Sequence, residues 1–180
     1  MLTVNKSIRQ GRGLAAALTK RASSLALDWD TRSKSRFDAH DSTGRHIAVF
    51  LPRGTVLRGS DVLVAEDGSL IRVEAAPQTV LQVSVCAEHG TPMDLLRAAY
   101  HLGNRHVQLE VQADRLQFEP DPVLADMLRR MHLIVTEAQA AFEPEAGAYG
   151  EIHAHTHGHG HGKPHTHAGH GHGHEHDPEY

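Results

Sequence analysis

The sequence predicts an α+β chain in three parts: a small all-β domain over residues 1–76, a domain of interleaved strands and helices over 77–150, and a disordered tail over 151–180. Three observations predict it. Apolar residues alternate around an Asp-Gly pair before Pro77, two proline-marked helix starts follow it, and eleven of the 17 histidines crowd into the last thirty positions. With 180 residues there is room for one ordinary domain or two small ones.

In the first part, Ser24 to Asp30 alternates with apolar residues at odd positions, and His46 to Leu51 is a short apolar run broken by Pro52-Arg53-Gly54. Asp61–Ala65 and Ser69–Ala75 flank Glu66-Asp67-Gly68, whose Asp-Gly is a strong hairpin signal. Pro77 marks the expected boundary.

In the second part, Val80–Cys86 alternates, with Leu81, Val83 and Val85 on one face. Thr91-Pro92-Met93-Asp94 carries a capping hydroxyl, a first-turn proline and an acid at the third position, which predicts a helix start. Met93, Leu96 and Tyr100 set its expected apolar stripe, widened by Leu95, Ala99 and Leu102, and Gly103 is the expected stop. Val107, Leu109 and Val111 predict a half-buried strand, Ala113-Asp114-Arg115 a turn, and Leu116 and Phe118 the return strand. Pro120-Asp121-Pro122 opens a second helix with Leu124, Met127, Leu128 and Met131 inward, and Leu133–Ala141 is the last strand. The succession βαββαβ is the split arrangement of ferredoxin-like domains.

The tail carries His153, His155, His157, His159, His161, His165, His167, His170, His172, His174 and His176 among Gly, Ala and Thr. It has too little apolar surface to offset the entropy of ordering it. A purification tag would be an unbroken run, whereas this segment alternates and carries acids. Neutral imidazole suits Ni, Zn and Cu and is a poor ligand for Mg or Ca. In an extended His-x-His segment the two side chains lie on one face about 6.6 Å apart. Several overlapping sites of modest affinity follow, suited to capture and hand-over. Imidazoles alone do not select nickel over Zn2+ or Cu2+, and capacity falls below pH about 6.5 as the rings protonate.

Of the body histidines, His40, His46, His89 and His132 read as structural or solvated. His101 and His106 differ, lying in the last turn of the first predicted helix and just past Gly103-Asn104-Arg105. A single rim imidazole is a poor site, but a two-fold axis would turn one per subunit into two facing ligands.

Other functions are disfavoured. Lys plus Arg number 18 against 22 Asp plus Glu, a net charge of −4, which argues against a nucleic-acid partner. The single Cys86 excludes an internal disulfide or a multi-cysteine zinc cage, and its apolar strand context predicts a buried thiol. No run approaches the ~18 apolar residues of a membrane span, and Leu14 to Leu18 is too short for a signal peptide, so the expected location is the cytoplasm. No G-x-x-x-x-G-K-[ST], H-E-x-x-H, G-x-S-x-G or strand-linked G-x-G-x-x-G occurs, and no enzyme is expected.

Tyr100-His101-Leu102-Gly103-Asn104-Arg105-His106-Val107 resembles the signature of the UreE family of urease accessory metallochaperones. So do Leu51-Pro52-Arg53-Gly54-Thr55-Val56-Leu57-Arg58, Asp126-Met127-Leu128-Arg129 and Phe142-Glu143-Pro144-Glu145-Ala146-Gly147-Ala148-Tyr149. The resemblance spans nearly all of residues 1–150 and leads into the same kind of tail. It implies an N-terminal domain for partner or peptide binding, and a second domain that binds metal and forms a homodimer. It further implies a nickel-binding histidine at His106, contributed once by each subunit and completed by tail histidines, with His153, His155 and His157 nearest along the chain. Delivery of Ni2+ to the urease apoprotein with an accessory complex that includes a GTPase is the implied function. His101 is carried over only as possible support. Gln117 to Pro122 lacks the extra histidines of some relatives, so no peripheral body site of that kind is expected. The competing reading is a nickel or zinc storage buffer acting through the tail alone.

Overall fold

Gly68 sits at φ +84°, the left-handed region open to glycine, and closes the Asp67-Gly68 turn between β5 (Val62–Ala65) and β6 (Leu70–Ala75), which pair antiparallel as expected. The computed structural model describes residues 1–147. β5 and β6 belong to a six-stranded sheet with β1 (Leu2–Ile8), β2 (Ser23–Leu27), β3 (Arg36–His40) and β4 (His46–Phe50), in the order β2-β6-β5-β1-β4-β3. The β1–β4 and β2–β6 pairs are parallel, and the others antiparallel. Val4, Leu25, Ile47, Val49, Leu63 and Ile71 fill its core with no exposed surface. The strand expected to run to Asp30 stops at Leu27. There the Asp28 carboxylate accepts the Thr31 N–H at 2.8 Å and caps a one-turn helix, α2 (Trp29–Arg32), which follows α1 (Ala16–Arg21).

The second sheet has the order β10-β7-β9-β8, antiparallel throughout. Its elements run β7 (Gln78–Ser84), α3 (Pro92–Gly103), β8 (Glu110–Val111), β9 (Leu116–Phe118), α4 (Pro122–Arg130) and β10 (Ile134–Ala140), the expected succession. Thr91 and Asp94 form the capping box of α3, and the Asp121 carboxylate accepts the N–H groups of Val123 and Leu124 at the start of α4.

Three expectations are corrected. The strand over Val107–Val111 shrinks to Glu110–Val111, because Val107 donates to Leu102 O at the end of α3 and Leu109 O accepts from Glu145 N, which withdraws both from the sheet. The buried face of α3 is Leu95, Ala98, Ala99 and Leu102, spaced i, i+3, i+4, i+7, while Met93, Leu96 and Tyr100 are 53%, 62% and 66% exposed. Cys86 is half-buried rather than buried, because β7 ends at Ser84 before the alternation reaches it.

The segment after β10 is clasped by the first part of the chain. Phe142 is buried against Trp29 and Val80. Arg32, with no exposed surface, donates to Leu27 O and Phe142 O and to Glu143 Oε1 at 2.8 Å. Arg32 and Arg58 both lie over the Trp29 ring, at 5.3 and 4.9 Å, and Arg58 reaches Pro144 O. Gly59 donates its N–H to Glu143 Oε1 at 2.7 Å, and a Cβ there would sit 2.9 Å from that oxygen. Residues Met1–Ala146 thus form one compact unit. The eleven tail histidines, expected in a disordered segment, lie outside the described residues.

Candidate metal centre

The last turn of α3 ends on a backbone hydrogen-bond pair. His106 N donates to Gly103 O at 2.9 Å and Val107 N to Leu102 O at 3.3 Å, the two closures of a Schellman motif, with Val107 packed into the same apolar cluster as Leu102. The residue that must turn left-handed is His106, at φ +56°, and its side chain is exposed. Gly103, the expected stop, is still helical. Glycine is the common occupant of this position, and for an L residue the conformation costs about 1 kcal/mol. Holding an exposed imidazole where glycine would be cheaper is the kind of local cost that accompanies a functional side chain.

α4 ends in the same way. His132 N donates to Arg129 O and Leu133 N to Leu128 O, with His132 at φ +63°. His132 faces a cleft of about 660 Å³ shared with Cys86, His89, Gly90 and Asp94. There the backbone N–H groups of Glu88 and then His89 point at the Cys86 sulfur and hold its thiol below the usual range.

His101 lies in the last turn of α3, exposed, with its ring edge-on to Tyr100 at 5.5 Å and its carbonyl accepting from Arg105 Nη1 at 2.9 Å. His101 and His106 therefore share one helix end. Among the described residues of one chain, no three His, Cys, Asp or Glu side chains are placed to hold a metal ion together. Neither the left-handed geometry of His106 nor the clasp around Arg32 was read from the sequence. An unusual Asn-Arg-His in place of a glycine terminator was the available signal for the first.

Fold and site together define a class: a two-sheet α+β protein that presents exposed imidazoles at its helix ends, with no cage of metal ligands around them among the described residues. Residues 4–76 match the family model described as UreE urease accessory protein, N-terminal domain, and residues 78–178 the corresponding C-terminal domain. The urease accessory protein UreE of Methylibium petroleiphilum is 72% identical over 154 residues, covering 86% of this chain and 71% of that protein. That of Paracidovorax citrulli is 69% identical over 149 residues, covering 83% and 71%, and that of Ralstonia nicotianae 55% identical over 153 residues, covering 85% and 71%. The chain belongs to the UreE family of urease accessory proteins.

Proposed function

We propose that this protein is a homodimeric nickel metallochaperone that supplies Ni2+ to apo-urease during assembly of its metal centre. It is not itself an enzyme. The observation that carries the reading is His106: an exposed imidazole held in a left-handed helix terminus within a member of a urease accessory family.

The rest follows from α3. Met93, Leu96 and Tyr100 form an exposed apolar row on the helix that ends at His106. Pairing this row about a two-fold axis buries it and brings the two His106 rings together as one ligand from each subunit. The tail supplies further donors. Glu145 is tied to Leu109, three residues beyond His106, and the eight residues from Glu145 to His153 span up to about 28 Å. That length lets His153, His155 and His157 reach the centre, with His159, His161, His165, His167, His170, His172, His174 and His176 as a capture reserve. His101 stands by as support. Few protein ligands and open access keep release fast, whereas a closed cage would trap the ion.

Within this reading, residues 1–76 are the partner-binding domain, 77–150 the metal-binding and dimerisation domain, and 151–180 the metal-gathering tail. The antiparallel order β10-β7-β9-β8 with two helices supports classing the second as ferredoxin-like. The partners are a second copy of the chain and apo-urease with its accessory complex, including a GTPase. The site of action is the cytoplasm, and among the described residues no helix is long and apolar enough to cross a membrane.

Activation of purified apo-urease at limiting nickel tests this. The full chain should raise the activation rate and His106→Ala should remove most of that gain. Equal activation with and without the protein would leave only nickel storage, in which stoichiometry follows tail length.

A further inference from the structure

We propose that His40 and His46 form a second, two-imidazole binding site for a divalent ion of the nickel–copper–zinc group, on the outer face of the first sheet. This site is separate from His106 and does not rest on the chaperone reading.

The two residues stand directly opposite each other, in register on β3 and β4. Asp41 N donates to Arg45 O, so the next pair along is the hydrogen-bonded one. His40 and His46 therefore occupy a non-hydrogen-bonded position, where facing side chains come closest. Their rings stack, with centroids 5.2 Å apart and planes 28° from parallel. Imidazole nitrogens bind these ions at about 2.0–2.1 Å, so two rings in neighbouring coordination positions have centroids about 4.5–5 Å apart. The observed spacing is close to that value, and an ion would turn the two rings out of their stack, chiefly about χ2, a soft torsion in histidine, until one nitrogen of each meets it.

The backbone beneath the pair is fixed in advance. The hairpin between β3 and β4 is locked by Asp41, whose Oδ1 accepts from Thr43 N, Thr43 Oγ1 and Arg45 N at 3.0, 2.7 and 2.9 Å. Ser42 N donates to Ser24 O and Ser24 N to Ser42 Oγ, which ties the turn to β2. Little ordering is left for the ion to impose.

Asp38 supplies the outer support. Its Oδ1 lies 3.3 Å from His46 Nε2, which places a carboxylate beside the pair and favours a cation there. β3 is the edge strand, and both Asp38 and His40 are exposed, so an ion can arrive and leave. With two imidazoles and free positions for water or an incoming donor, the site would be an exchangeable station on the first domain.

The test uses the full chain, Cu2+ as a paramagnetic probe and a glycine buffer that fixes the free ion, so that the tail cannot deplete it. The amide signals of Ala39, His40, Arg45 and His46 should broaden with a common midpoint. Because the second imidazole binds intramolecularly, His40→Gln and His46→Gln should each raise that midpoint at least about tenfold. Asp38→Asn should raise it by less than either glutamine variant, through loss of the carboxylate charge beside His46. His106→Ala should leave it unchanged, so failure of the chaperone reading and failure of this one are separately visible. Signals at β3 and β4 that stay sharp, or a midpoint that either glutamine variant leaves at the wild-type value, would overturn the proposal.

Discussion

The backbone N–H of Val107 closes onto the carbonyl of Leu102 at 3.3 Å, and the residue forced left-handed by that closure is His106. The same arrangement recurs at Leu133 and Leu128 around His132. Two helices thus end on histidines where glycine would be less costly, and only one of them stands beside an exposed apolar row.

Replacing either residue with glycine separates backbone cost from side-chain use. His106→Gly and His132→Gly should each stabilise the fold by about 0.5–1 kcal/mol, the left-handed penalty less the entropy that glycine adds to the unfolded chain. His106→Gly alone should lose the tightest nickel event. Urea unfolding and nickel titration of both variants give the comparison.

Leu96→Asp places a charge in the middle of the exposed row on α3 without touching the buried face of Leu95, Ala98, Ala99 and Leu102. Light scattering should show a monomer, with a thermal midpoint within a few degrees of wild type. Tight nickel binding should weaken with the loss of pairing, because each His106 would then lack its counterpart.

Arg32 is a buried cation whose donors are taken up by the carbonyls of Leu27, Leu57 and Phe142 and by the Glu143 carboxylate. Arg32→Ala strands those acceptors and leaves a hole beside Trp29, at a cost of about 3–5 kcal/mol. Urea denaturation measures it directly. Glu143→Gln should cost less, since Glu143 is partly exposed and the carbonyl contacts of Arg32 persist.

Burial alone would raise the Asp41 carboxyl. The Thr43 hydroxyl, the Arg45 backbone N–H, the Ser23 hydroxyl and the Arg45 guanidinium outweigh it and hold the group well below the usual carboxylate range. A pKa lower in the folded than in the unfolded state adds stability that is complete above pH about 5, fades as acid protonates the unfolded chain first, and is gone once the native carboxylate is protonated too. Asp41→Asn should therefore cost about 2 kcal/mol at pH 7 and less at pH 3. Urea midpoints of both proteins at the two pH values test the sign.

Much of the architecture was legible in the sequence because local signals and burial agree there. Asp67-Gly68, the Thr91 and Asp121 caps and the alternation of Val80–Ser84 all produced the elements they predict. The failures occurred where backbone groups are claimed by distant partners. Val107 and Leu109 alternate like a strand, but a helix end and the segment at Glu145 take their hydrogen bonds. Met93, Leu96 and Tyr100 are apolar at helical spacing, and periodicity cannot say which of two apolar rows faces the sheet. His106 stood out by its sequence signature as a candidate, whereas its left-handed geometry depends on where α3 stops. Arg32 gave no signal at all, because a buried arginine is defined by partners as far along the chain as Phe142 and Glu143.

Nickel titration of the full chain and of its His106→Ala variant bears most directly on the central claim. The account predicts that the tightest binding event disappears while the weaker, tail-borne capacity remains. Retention of that event at wild-type affinity would contradict it.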